Sequence, residues 1–229
     1  MKKLVLSLAL CLIQSLALAQ VTPALQSGSK ALLFNFSGLD NLNANSFNGG
    51  IGVKYYLSPS TAFRGGLQFA SANEDDPANP ASGQQAQDGE TSATRVGISG
   101  ALEFHGGTGR VTPIWGLGVA FSTTSTERKN PNIGPASGQF IVKNSRNGEL
   151  INGLNFVGGS QVDFFALVGA EFFIVKEASL SAEYRFGFSK ISRKDQETTQ
   201  GPNTATTKLG GGSGFGIATA GVLTLAIYF

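Results

Sequence analysis

Residues 180–189 read "LSAEYRFGFS", and the alternation in this stretch decides the fold class. Successive side chains of a β-strand point to opposite faces. Leu180, Ala182, Tyr184, Phe186 and Phe188 therefore share one face, and Ser181, Glu183, Arg185, Gly187 and Ser189 share the other. The first face suits hydrocarbon, whereas the second mixes charge with small residues. The pattern recurs upstream. Ile51, Val53, Tyr55 and Leu57 oppose Gly52, Lys54 and Tyr56; Phe63, Leu67 and Phe69 oppose Arg64, Gly66 and Gln68. Val96, Ile98, Leu102 and Phe104 oppose Arg95, Gly97, Ser99 and Glu103, and Trp115, Leu117, Val119 and Phe121 oppose Gly116, Gly118 and Ala120.

Alternating segments are predicted at residues 31–38, 49–57, 61–71, 94–105, 111–123, 161–175, 180–189 and 214–229. A tilted strand crosses a bilayer in about nine to eleven residues. The connections alternate in length. Residues 58–60, 106–110 and 176–179 are tight turns, whereas 39–48, 72–93, 124–160 and 190–213 are long, polar and rich in Gly, Asn, Pro and Ser. Short turns on one side and long loops on the other predict an all-β, eight-stranded antiparallel up-and-down transmembrane β-barrel. A soluble barrel also alternates, but it needs a large, well-hydrated polar outer face. Here the polar face is mostly Gly, Ala and Ser, which fits a narrow interior.

The first twenty residues, "MKKLVLSLALCLIQSLALAQ", carry Lys2 and Lys3, an apolar run and Ala17-Leu18-Ala19. This is the pattern of a cleaved secretory signal, so residues 1–19 are set apart from a barrel domain spanning 20–229. Cys11 falls inside that leader behind Leu10, which is too bulky for a lipoprotein site, so the exported chain is expected to have no thiol, disulfide or lipid anchor on cysteine. Lys2 and Lys3 account for two of the 17 basic residues, leaving 15 of each sign, and this balance offers nothing to nucleic acid.

The segments "PIWGLGVAF", "FALVGAEFF", "LSAEYRFGFS" and the final "LTLAIYF" resemble the small eight-stranded outer-membrane barrels of Gram-negative bacteria, the OmpA-type transmembrane domain and its relatives. The resemblance implies residence in the cell outer membrane, contact with its lipid and lipopolysaccharide, and a monomer. It also implies that Leu223, Leu225, Ile227 and Phe229 form the signal read by the barrel-assembly machinery; Gly221 departs from the alternation of that signal. No peptidoglycan-binding domain is expected after the last strand, so that role is not carried over.

Three groups of residues could carry function. Lys54, Arg64, Arg95 and Arg185 point inward with Glu103, Glu171 and Glu183, and burial would drive them into an ion-pair ladder. Such a ladder either plugs the interior or gates a narrow pore. Tyr55, Trp115 and Tyr228, with Tyr56 and Phe104, read as an interfacial girdle. The loop at 127–160 contains "QFIVKNSRNGELINGLNF", whose Asn-Gly pairs predict a small hairpin projecting beyond the membrane, the best surface for an extracellular ligand unless it is a self-packed lid.

Catalysis is not expected. His105 is the one histidine and is read as a turn or girdle residue, so a Ser-His-acid site and a metal cluster both lack their ligands, and no cofactor is implied. Glu74–Asp76 is read as a solvated acidic loop that could touch a divalent ion. The run "GGGSGFG" at 210–216 precedes a strand, not a helix, and is read as a bend or a rim insertion. The leading expectation is a structural or surface-interaction barrel; the alternative is a narrow pore or a carrier of small hydrophobic molecules.

Overall fold

A computed structural model describes residues 25–37, 46–107, 109–134, 138–217 and 221–229. The leader and the loop at 38–45 lie outside the described residues, and with them the signal-peptide reading. The described chain is all-β and antiparallel, and it contains no helix long and apolar enough to cross a membrane.

Sixteen strands are present among the described residues rather than the expected eight. Eight make the wall: β1 (Lys30–Ser37), β2 (Ser46–Ser58), β3 (Thr61–Asp76), β4 (Gly89–His105), β5 (Val111–Lys129), β6 (Gly159–Val175), β7 (Ala178–Arg193) and β8 (Val222–Tyr228). Each pairs with its sequence neighbours, and β8 pairs with β1, so the pairings return to their start. Ala31 sits opposite Tyr228, and the Phe229 amide donates to the Lys30 carbonyl at 3.0 Å. The other strands are short and lie at the loop end.

Several wall strands run past the expected boundaries. β3 continues through Glu74–Asp76, which is therefore strand and not loop, and it pairs with Glu90 and Thr91 of β4. Sixteen residues at about 3.3 Å each run roughly 53 Å, well beyond the path through a bilayer. The extension is polar because it pairs outside the apolar band. Lys129 meets Glu90 at 3.7 Å and Glu127 at 3.3 Å, and Lys143 meets Glu127 at 3.8 Å. Strand Phe140–Lys143 joins the end of β5 to a Thr-rich hairpin, Gln196–Gln200 with Asn203–Thr207. The eighth wall strand comes in two pieces, Gly212–Ile217 beside the outer half of β7 and β8 beside its inner half.

Alternation places the apolar set outside, as predicted: Leu117 is 66% exposed, Ile98 58% and Phe164 58%, around a ring whose inward positions are buried. At the turn end Leu25, Leu33, Tyr56 and Phe173 pack into an apolar floor. At the loop end Glu149–Ile151 and Leu154–Phe156 form the predicted hairpin, turning at Asn152 and Gly153, both with positive φ (49° and 79°), as a tight Asn-Gly turn requires. It does not project. Ile151 and Phe156 are buried against the inward alanines Ala70, Ala72 and Ala93, because apolar side chains beside an apolar mouth gain more by burial than by reaching into water.

Candidate functional site: a buried ionic network

Between floor and hairpin lies a chain of alternating charge. The Lys54 Nζ lies 2.7 Å from Glu103 Oε1 and 3.2 Å from Glu171 Oε2. The Arg64 guanidinium bridges Glu103 at 2.7 Å and Glu183 at 2.6 Å, and Arg185 donates to Glu183 through Nε at 2.9 Å and NH2 at 2.5 Å. Arg185 also lies 4.7 Å over the ring of Phe165. Three cations meet three carboxylates, and all three glutamates are at most 1% exposed. The wall makes room for these long side chains by placing small residues opposite them. Glu103 faces Ala62 and Gly116, Glu183 faces Gly169, Arg64 faces Ala101 and Lys54 faces Ala31.

Six of the seven residues expected in the interior network are brought together; Arg95 is not. It donates to Thr124, directly opposite on β5, at 3.0 Å and lies 5.5 Å over Phe156 of the hairpin. Eight residues of strand separate Arg95 from Glu103, roughly 26 Å, which no side chain spans.

Residues read as girdle or turn by their type and place near strand ends complete the network. Tyr228, expected in the girdle, points inward and donates to Glu171 Oε1 at 2.5 Å, and its hydroxyl lies 3.3 Å from that of Tyr56. Tyr56 likewise leaves the girdle. The reason is parity: Tyr228 follows Ile227 and Tyr56 follows Tyr55, so each falls on the opposite face from its outward neighbour. Tyr55 and Trp115 do face outward, at 43% and 47% exposure. Ser179 also donates to Glu171. His105 is neither a turn nor a girdle residue. It is buried, with Nε2 2.9 Å from Glu103 and 3.2 Å from the Tyr56 hydroxyl.

One donor atom each from Glu103, His105 and Glu171 lies within 4.8 Å of the others, a grouping that could hold a metal ion and that corrects the expectation of no such cluster. The Lys54 ammonium, however, already sits against both carboxylates and supplies the positive charge a metal would bring. The arrangement fills the interior with neutralised charge.

Leu223, Leu225, Ile227 and Phe229 of the last strand lie on the face away from this network, with Phe229 75% exposed.

No family model and no curated protein matches the chain. Among solved structures, a major outer membrane protein from Thermus thermophilus is similar in fold, with a TM-score of 0.50 and 13% identity over 89% of this chain and 100% of that one. The N-terminal β-barrel domain of Pseudomonas aeruginosa OprF aligns with a TM-score of 0.33 and 12% identity, over 89% of this chain and 98% of that one. The likeness to the Thermus protein is one of fold, all-β and antiparallel.

Proposed function

We infer that the chain is a closed eight-stranded transmembrane barrel of a bacterial outer membrane, exported through its leader, with a structural and surface-interaction role and no catalytic one. The observation that carries this reading is the inverted distribution of polarity. Large apolar side chains cover the outside of the strand ring while ionised groups fill its interior, the reverse of a water-soluble barrel. Cyclic pairing supports it further, because a spanning sheet must leave no free edge in lipid.

In this reading Leu223, Leu225, Ile227 and Phe229 present the outward face that the assembly machinery recognises, and lipid and lipopolysaccharide surround the band. The long loops, 127–160 together with the hairpin at 196–207, form the external surface open to a ligand. Expression in a Gram-negative host tests the reading. The chain should fractionate with the outer membrane and migrate faster on a gel before heating than after; recovery in the soluble periplasm would overturn it.

The alternative, a narrow pore or a carrier, meets two closures in series. The apolar floor shuts the turn end, and the ionic network above it leaves its carboxylates dry. Planar-bilayer recordings of the native chain and of Glu183→Ala should show no defined conductance from either, and discrete single-channel steps in the native chain would make the pore the better reading.

A further inference from the structure

The outward face of the wall changes character at one level near the loop end. Phe69, Val96, Phe121, Val162 and Phe188 are the last apolar outward residues on β3 to β7. Beyond them the outward positions carry hydroxyls. Ser71 lies opposite Thr94, and Thr94 opposite Ser125; Thr123 lies opposite Ser160, and Ser160 opposite Ser192. A hydroxyl collar thus follows directly on the apolar band across five strands.

Among the described residues, β7 alone adds cations to this collar. Its outward side runs Phe188, Lys190, Ser192 and then Lys194, just past the end of the strand. Lys190 is exposed, stands opposite Val162 on one side and Ser213 on the other, and makes no salt bridge among the described residues. Lys194 lies across the end of β6: its amide donates to the Gly158 carbonyl at 3.2 Å, and its Nζ donates to the Ser125 hydroxyl on β5 at 2.6 Å. That acceptor is neutral. The outward carboxylate that follows on β5, Glu127, is already held by Lys129 at 3.3 Å and Lys143 at 3.8 Å. Two ammonium groups therefore stand at the top of the apolar band, among hydroxyls, without a carboxylate to neutralise them. Across the ring the collar is different, since Ser71 and Thr94 lead outward to Asp75 and Glu90, directly opposite one another.

We propose that this corner, Lys190 and Lys194 with Ser125, Ser160 and Ser192, holds the headgroup of a phosphorylated glycolipid whose acyl chains lie along Phe188, Val162 and Phe121. The proposal rests on the barrel reading above and adds a defined lipid site to it. Phosphate brings the negative charge that the two lysines lack, in charge-assisted hydrogen bonds. Sugar and phosphate oxygens match the hydroxyls, and the apolar row one step away takes the chains. A zwitterionic headgroup carries its own cation and leaves the ammonium groups unmatched.

Native mass spectrometry of the full chain released from phosphatidylcholine vesicles with a minor fraction of lipid A, a phosphorylated and acylated disaccharide, tests it by counting the glycolipid each molecule retains. The native chain should retain lipid A at least about tenfold above its share of the bilayer, a preference of roughly 1.4 kcal/mol. Dephosphorylated lipid A should show no enrichment, and free inorganic phosphate should not displace the lipid. Lys190→Ala with Lys194→Ala should remove the enrichment, and Lys190→Arg with Lys194→Arg should keep it. Lys176→Ala at the turn end, where Lys176 meets Glu177 at 3.1 Å, should leave it unchanged. The gel mobility of the unheated variants reports that they fold. An inserted native chain without enrichment, equal retention of the dephosphorylated lipid, displacement by free phosphate, or full enrichment in the folded alanine double variant would each overturn the proposal and leave the barrel reading in place. A native chain that does not insert into the vesicles would overturn both.

Discussion

Lys54 and Arg64 stand directly opposite one another on β2 and β3, two cations on the inner face of one hairpin. Like charges in that position repel, yet both are buried, because Glu103 from β4 reaches between them and touches each at 2.7 Å. The stability of this corner therefore depends on a carboxylate contributed by a different strand. Glu103→Gln should destabilise the folded chain by about 3–5 kcal/mol, since it leaves buried positive charge uncompensated. Lys54→Met combined with Glu103→Gln should recover part of that loss. Urea unfolding in lipid vesicles measures both, and equal stability of Glu103→Gln and the native chain would refute the coupling.

The two tyrosines on either side of the wall should behave differently. Tyr228→Phe removes a donor from buried Glu171 and should cost about 1–3 kcal/mol. Tyr55→Phe, on the outer face, should stay within about 0.5 kcal/mol. The chain has one tryptophan, so brominated lipids report on Trp115 alone, and they should quench its fluorescence strongly. Unquenched emission would contradict an outward position in lipid.

Ile151 is fully buried under the mouth alanines. Ile151→Ala should make hairpin seating less favourable by about 2–5 kcal/mol without unfolding the wall. Trypsin cleavage after Arg146, measured on reconstituted protein, should accelerate while the wall resists digestion. An unchanged cleavage rate would mean that the hairpin is not held by this contact.

Gly169 lies opposite Glu183, and a Cβ placed on it would collide with the Ala182 carbonyl oxygen. Gly169→Val should therefore block folding or distort the β6–β7 ladder, whereas Gly214→Val on the open strand should be tolerated. Unheated gel mobility of the two variants makes the comparison, and loss of the folded form in both would show that the strands, not the local space, demand glycine.

The wall and most of the network were readable from alternation because parity is a local property: Glu183 and Arg185 follow from "LSAEYRFGFS" without knowledge of any partner. Three-dimensional position was less readable. Arg95 has the same inward parity as Glu103 but sits eight residues away along the strand, and parity alone does not carry that distance. Residue type and proximity to a strand end point Tyr228 and His105 toward the girdle or a turn, and for Tyr228 parity alone gives the inward position. The Asn-Gly turn predicted the hairpin, but its direction depends on Ala70, Ala72 and Ala93, which look unremarkable in sequence and matter only as a surface for Ile151 and Phe156.

The bond from the Phe229 amide to the Lys30 carbonyl joins the residue after β8 to the start of the first strand. A ring closed in this way has no complete intermediate: until β8 and Phe229 have been made, β1 lacks a partner along one whole edge. Its pairing spans nearly the full chain, which places it among the slowest contacts to form and forbids folding to finish during synthesis. The ring is therefore completed in a single late event, once the last residue of the chain is available.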